Sequence, residues 1–242
     1  MKPELRYTQG AYLEQNPNWH REDALWKAEH VARILKSGAV NPASICEIGC
    51  GAGDVLVHLS AIFPDATLSG VDISPQAAAY WRQHSHLAPR VSFEVAALES
   101  ILTRRFDVVM MLDVFEHVRD PFSFLESARS CGGHFVFHIP LDLSASSVAR
   151  KHPLLHARRS IGHLHYYTKD LALETLTESG YEILDWRYTG AAFNSPDRSL
   201  KTRLAALPRR LLYAINRDLG VRLLGGDTLL VLARPASAAV AA

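Results

Sequence analysis

Ile45-Cys46-Glu47-Ile48-Gly49-Cys50-Gly51-Ala52-Gly53 is the stretch on which the fold turns. An apolar run, Ala43 to Ile48, reads as a strand and ends in a cluster of glycines. A helical pattern follows at once, with Val55, Leu56, Leu59, Ile62 and Phe63 on one side. A strand that stops at glycines and turns directly into a helix lets the backbone approach a ligand closely. It also points the free N–H groups of the helix start at that ligand. A second strand, Thr67 to Val71, ends on an acid, Asp72. An acid at the tip of the second strand is placed to hold the hydroxyls of a nucleoside ribose.

Two ligand classes use this layout. The dinucleotide fingerprint is G-x-G-x-x-G. Gly49 and Gly51 fit it, but its third glycine falls at Asp54, where a carboxylate would face a pyrophosphate. The pattern present is E-x-G-x-G-x-G, with Glu47 ahead of Gly49, Gly51 and Gly53. It resembles motif I of the class I S-adenosylmethionine (SAM) methyltransferases. SAM carries a sulfonium and an ammonium and no phosphate, so acids around the loop suit it. Two later stretches extend the resemblance. Asp107-Val-Val-Met-Met-Leu-Asp113-Val-Phe-Glu116-His117-Val118-Arg119-Asp120-Pro121 is similar to the fourth-strand motif of small-molecule methyltransferases. Gly162-His163-Leu164-His165-Tyr166-Tyr167-Thr168 is similar to the segment before their sixth strand. The resemblance runs from about Ala24 to Tyr188 and implies SAM as cofactor.

Composition is compatible with this reading. At 242 residues, 48% hydrophobic and 21% charged, the chain can build one large α/β domain with decorations. A net charge of +1 and the lack of an aromatic-rich basic groove argue against nucleic acid as partner. Cys46, Cys50 and Cys131 form no C-x-x-C pair, and Met1 to Arg6 has no apolar signal core, so a cytoplasmic location is expected. No apolar run reaches the length of a membrane span. Nothing in the sequence sets an oligomeric state.

The expected architecture is a Rossmann-like, seven-stranded, mostly parallel sheet with helices on both faces and the last strand antiparallel. Strands are predicted near 43–48, 67–72, 91–95, 106–112, 133–139, 181–188 and 228–233. Core helices are predicted near 54–63, 75–86, 121–131 and 170–179. Residues 1–41 form an N-terminal helical cap containing an amphipathic helix, Asp23 to Leu35. Tyr7, Tyr12 and Trp19 lie outside that helix and are candidates for a lid. Residues 42–242 form the methyltransferase domain, with a helical insertion at about 189–227. The insertion holds a basic amphipathic stretch, Arg198 to Arg217, broken by Pro208. That stretch either packs on the domain or a second subunit, or rests on anionic lipid. The tail Pro235 to Ala242 reads as frayed.

The resemblance implies roles for individual residues. Glu47, Gly49, Gly51 and Gly53 line the methionine moiety and ribose. Asp72 accepts hydrogen bonds from the ribose hydroxyls. Ile73 packs on the adenine face. Ala97 and Leu98, with Ala96, border the adenine; Ala97 stands where many relatives have an acid, and Glu99 follows. Leu112 and Asp113 lie near the sulfonium. Methyl transfer is an in-line displacement that requires alignment and, for some acceptors, removal of a proton. His117 is the first candidate for the base, with His163 and His165 next. A second reading places Asp113, Glu116 and His117 on one side of a helical turn as ligands of a divalent cation. E-x-x-E-H spacing of this kind occurs in metal-assisted O-methyltransferases; the reading without metal is favoured. The acceptor is a small molecule. Arg150-Lys151-His152 and Arg158-Arg159 around the His163 segment raise the expectation of an anionic or sugar-containing acceptor, methylated on oxygen or less often nitrogen.

Overall fold

The computed structural model describes residues 3–19, 21–87, 89–194 and 206–237. Seven strands form one sheet: β1 (Ser44–Ile48), β2 (Thr67–Asp72), β3 (Val91–Val95), β4 (Phe106–Leu112), β5 (Gly132–Pro140), β6 (Tyr181–Tyr188) and β7 (Thr228–Pro235). Their order is β3-β2-β1-β4-β5-β7-β6. The pairs β1–β2, β1–β4, β2–β3 and β4–β5 are parallel, whereas β7 runs antiparallel to both β5 and β6. The chain reverses direction across the sheet between β1 and β4, and a ligand crevice opens at the carboxyl ends of strands at such a switch point.

The central strands alternate between two cores. Cys46, Ile48, Val109, Met111, Phe135 and Phe137 face one side, where Leu125, Ala128, Ala172 and Leu176 cover them. These last four belong to helices Pro121–Ala128 and Lys169–Glu178. Ile45, Val108, Met110 and Val136 face the other side, under helices Ala24–Ser37 and Asp54–Ile62. Burial on both faces is what makes the β4 run so continuously apolar. The N-terminal helix Ala24–Ser37 therefore belongs to the central core: Ala28, Val31, Ile34 and Leu35 are fully buried. Tyr181, on the far edge of the sheet, is 1% exposed and donates its hydroxyl to the Leu125 carbonyl at 2.7 Å.

Two expectations need correction. The helix predicted over 75–86 is α-helical only at Ala78–Trp81 and continues as a 3₁₀ turn, Arg82–Leu87, that turns His84 inward. Pro208 does not break the basic stretch: it lies in the first turn of helix Ala206–Ile215, where its missing N–H would have no intrahelical partner. The break falls at Asn216, whose side chain accepts from the Leu219 N–H at 2.9 Å and starts the next helix, Arg217–Leu224. The first part of the basic stretch, 198–205, and the end of the tail, 238–242, lie outside the described residues. No helix among the described residues is long and apolar enough to cross a membrane.

Gly70 in β2 is set by packing rather than by backbone conformation. A Cβ there would come within 2.7 Å of Phe93, 2.8 Å of Cys50 Sγ and 2.9 Å of Leu56. Gly70→Ala is expected to cost about 1–3 kcal/mol through overpacking. Gly133→Ala, whose Cβ meets only the Asp107 carbonyl at 3.4 Å, is expected to change stability far less. Urea denaturation midpoints of the two variants provide the check.

Candidate active site

The glycine turn after β1 is built for close approach. Gly49 and Gly53 have φ of 75° and 83°, in the left-handed region. A Cβ at Gly53 would sit 2.4 Å from the Phe93 ring, and one at Gly49 would sit 2.7 Å from Val114. Asp72 clamps this turn: its Oδ2 accepts from the Gly51 N–H and its Oδ1 from the Ser74 N–H, both at 2.8 Å. Each oxygen keeps a further lone pair for a hydroxyl donor. Trp81 Nε1–H donates to the Gly51 carbonyl at 2.9 Å and stacks on Phe93.

Beside the turn lies a cavity of about 510 Å³, a size that suits a nucleoside-sized ligand. Asp113 and Glu47 line it, Glu116 is buried beside it, and the environments of these three acids differ. Asp113 directly follows β4 with φ 59°, an uncommon conformation for a residue with a side chain, and its N–H donates to the His138 carbonyl at 2.9 Å. Its carboxylate lies 2.7 Å from Lys27 Nζ and 2.6 Å from His138 Nδ1. Burial alone would raise the Asp113 pKa, but His138 and Lys27 outweigh it and hold the carboxyl well below the usual range. His138 is fixed in turn by Thr228 Oγ1 at 2.8 Å. Glu47 is 3% exposed and its Oε2 has no partner among the described residues. Burial pushes its pKa up to about 8, with Lys27 opposing and Asp72 and Asp54 adding to the shift. Glu116 is fully buried, neither oxygen has a hydrogen-bond partner among the described residues, and Oε1 lies 3.9 Å from His117 Nε2; burial, then the Asp113 charge, push its pKa well above the ordinary value.

The N-terminal segment covers the cavity. Tyr7, Tyr12 and Trp19 line it in an aromatic chain, with ring centroids 5.0 and 5.4 Å apart. The Trp19 ring lies against Gly51, where an added Cβ would come within 3.2 Å of it. Arg21 fastens this segment to the helix after the turn through a two-point contact with Asp54, at 2.7 and 2.9 Å. At the other end Arg6 donates to the carbonyls of Arg159 and Ser160.

Two histidines meet inside the cavity. His117 and His163 rings are 4.8 Å apart, edge to face. His163 Nδ1 contacts Asp142 Oδ2 at 2.5 Å, and His117 Nδ1 contacts the Tyr7 hydroxyl at 2.8 Å. Burial, then the neighbouring His163, lower the His117 pKa to about 4, so it is neutral at pH 7. One ligand atom from each of Glu116, His117 and His163 lies within 4.8 Å of the others.

Of the residues singled out from sequence, Glu47, Gly49, Gly51, Gly53, Asp72, Ile73, Ala97, Leu98, Leu112, Asp113, His117 and His163 all line this one cavity. His165 does not: its Nε2–H donates to the Val118 carbonyl at 2.9 Å, and it lines a separate surface depression with Tyr166 and Leu171. The proposed ligand set Asp113, Glu116 and His117 is corrected as well. Asp113 is not on a helical turn and is engaged by Lys27 and His138, and the acid and imidazoles that converge are Glu116, His117 and His163. The cations expected to attract an anionic acceptor also lie elsewhere. Arg150, Lys151, Arg158 and Arg159 do not line the cavity, and the lysine and arginine that do, Lys27 and Arg21, are paired with acids. Sequence reasoning missed Lys27, although a signal existed. Lys27, Val31, Ile34 and Leu35 share the buried stripe of their helix, and a lysine on an apolar stripe needs a buried acid. Asp142 carried only its place just past the carboxyl end of a parallel strand.

A mostly parallel sheet in this order, with a glycine turn after β1 and an acid at the end of β2, is that of a class I SAM-dependent methyltransferase. The chain belongs to the methyltransferase domain family, whose model matches residues 19–185. Curated relatives include a ubiquinone biosynthesis O-methyltransferase of Nitrosomonas europaea, 27% identical over 116 residues, 46% of this chain and 48% of that protein. The mitochondrial enzyme of that name from Schizosaccharomyces pombe is 35% identical over 88 residues, 34% of this chain and 31% of that protein. The chain thus spans about half or less of the length of these two relatives. Among solved structures, magnesium protoporphyrin IX methyltransferase of Synechocystis, with bound S-adenosylhomocysteine, superposes with a TM-score of 0.59 at 16% identity. It covers 87% of this chain and 83% of its own. A putative methyltransferase of Haloferax volcanii, in complex with the Trm112 activator, gives a TM-score of 0.63 at 18% identity over 95% of this chain and 96% of its own. At these identities the structural likeness concerns the fold.

The chemistry of these residues is compatible with SAM: a turn in which a Cβ would clash, a carboxylate with lone pairs to spare at the end of β2, and a buried acid, Glu47, with one oxygen unpartnered among the described residues. Binding an ammonium requires Glu47 ionised, so below about pH 8 binding must expel its proton. Affinity for S-adenosylhomocysteine is therefore expected to strengthen as pH rises towards 8, by up to about tenfold per pH unit, and then to level off. Glu47→Gln should weaken binding and flatten that slope. Titration calorimetry across the range is the measurement, and a pH-independent affinity for the unaltered protein would contradict the role given to Glu47.

Proposed function

We propose that the protein transfers the methyl group of SAM to a hydroxyl oxygen of a small, uncharged acceptor bound between the N-terminal aromatic segment and the two cavity histidines. The observation that carries this reading is the pair of oppositely wired imidazoles. Bound SAM supplies a methyl group on a positively charged sulfur, already activated for in-line displacement. What remains for the chain is to align the acceptor, keep water out and take up a proton.

Asp142 accepts from His163 Nδ1–H, which leaves the Nε2 lone pair of His163 free towards a hydroxyl. Burial keeps the Tyr7 phenol well above its usual pKa, so it stays protonated and donates to His117 Nδ1. His117 then carries its hydrogen on Nε2, which lies 3.9 Å from Glu116 Oε1, and is a neutral donor rather than a base. This exchanges the roles expected from sequence, where His117 was the first choice of base. Oxygen rather than nitrogen as the methylated atom is supported by the names of the curated relatives. A neutral acceptor is supported by the pairing of both cavity cations.

A second reading rests on Glu116. Two buried carboxylate oxygens without partners, beside two imidazoles, fit a divalent cation better than they fit an empty site. Glu116, His117 and His163 would hold the ion, which would supply a positive charge to polarise an acceptor hydroxyl.

His163→Ala is expected to lower kcat by about 10²-fold or more, with S-adenosylhomocysteine affinity unchanged. Assays of Glu116→Ala and of the unaltered protein in chelator separate the two readings. Activity that survives chelator and is lost only with His163 supports the base. Activity abolished by chelator and restored by Mg²⁺, Mn²⁺ or Zn²⁺ assigns His163 to the ion.

A further inference from the structure

Four helices pack in series at the end of the sheet that carries β5, β7 and β6: His152–His156 on Ala145–Arg150, that helix on Arg217–Leu224, and that one on Ala206–Ile215. Their outer surface is unusual in two respects. Six large aliphatic side chains on these helices are exposed: Val148 at 58%, Leu155 at 40%, Leu211 at 65%, Ile215 at 83%, Leu219 at 43% and Leu223 at 41%. Leu211 and Ile215 are four residues apart, as are Leu219 and Leu223, so each helix presents its pair on one side. The charge is equally one-sided. Residues 145–161 and 206–224 hold eight arginines and lysines against one acid, in a chain whose net charge is only +1. That acid, Asp218, is engaged by Lys169 at 2.6 Å and by the Tyr188 hydroxyl at 2.7 Å, and of the cations Arg217 is paired with the buried Asp227 at 3.0 Å. Arg150, Lys151, Arg210 and Arg222 are exposed on the same helices.

We infer that this face docks on a membrane surface rich in anionic lipid, with the aliphatic side chains entering the headgroup boundary and the cations meeting lipid phosphates. Both features are needed to single out the partner. A second copy of the chain in a two-fold dimer would set this cationic face against itself. A nucleic acid would satisfy the charge but leave six aliphatic side chains against a polar backbone. An interfacial helix wants apolar side chains on one side and arginine or lysine beside them, on a surface of negative potential. The face also adjoins the cavity: Ile161, Ala191 and Thr228, which bound these helices in sequence, line its wall. Docking is independent of the reaction proposed above, because it concerns a surface and not the site.

Vesicle co-sedimentation tests this directly. The full chain is expected to pellet with phosphatidylcholine vesicles containing phosphatidylglycerol, not with phosphatidylcholine alone, and to be released as salt is raised. Leu211→Glu with Ile215→Glu, and separately Arg150→Gln with Lys151→Gln, should each cut the bound fraction by about tenfold or more. Both variants should keep the thermal shift produced by S-adenosylhomocysteine, which shows that they are folded. Equal binding to neutral and anionic vesicles, or no binding to either, overturns the proposal. So does a concentration-dependent dimer on sedimentation that the Leu211→Glu, Ile215→Glu variant dissociates.

Discussion

A carboxylate taken out of water must find a positive charge or hydrogen-bond donors, or else keep its proton. The centre of this protein is organised by that constraint. The ends of β1 and β4 bring Glu47 and Asp113 to one cavity, with Glu116 buried just behind it, and of these three only Asp113 is satisfied through Lys27 and His138. The pairing costs a left-handed backbone at Asp113 and requires a lysine on the core side of an N-terminal helix. The other two acids keep oxygens with no hydrogen-bond partner among the described residues, although Glu116 Oε1 lies 3.9 Å from His117 Nε2.

The same constraint explains why the N-terminal residues are part of the site and not a detachable cap. Ala24–Ser37 contributes Ala28, Val31, Ile34 and Leu35 to the core and Lys27 to Asp113, so its position fixes β4's tip as well as the hydrophobic layer beneath. Residues before it bring in a different set of contacts. Tyr7 reaches His117, Trp19 reaches the glycine turn, and Arg21 ties the segment to Asp54. None of the residues in the helix Ala11–Gln15 is buried.

The sheet was legible in the sequence because its strands are short apolar runs separated by glycines and helical periods, and a parallel sheet leaves few other ways to bury them. The turn at Gly49, Gly51 and Gly53 and the acid at Asp72 were legible because close approach leaves no choice of residue type. The histidine pair was only half legible. His117 and His163 are distant in sequence, and what separates their roles, Tyr7 on one and Asp142 on the other, is a matter of which side chains the fold brings into contact. His165, two residues from His163, turns out of the cavity, a distinction that no spacing rule could draw. The spacing of Asp113, Glu116 and His117 suggested one helical turn, whereas Asp113 directly follows strand β4 with a left-handed backbone.

A thermal melt in chelator with and without S-adenosylhomocysteine tests most directly whether the cavity is a SAM site. Ligand at about a hundred times its dissociation constant adds about 2.7 kcal/mol. For a chain of 242 residues that corresponds to a rise of about 5–10 °C in Tm. A rise of that size, lost in Asp72→Ala, is the result expected from the glycine turn and the acids around it. An unchanged Tm at saturating ligand would contradict the assignment of the cavity.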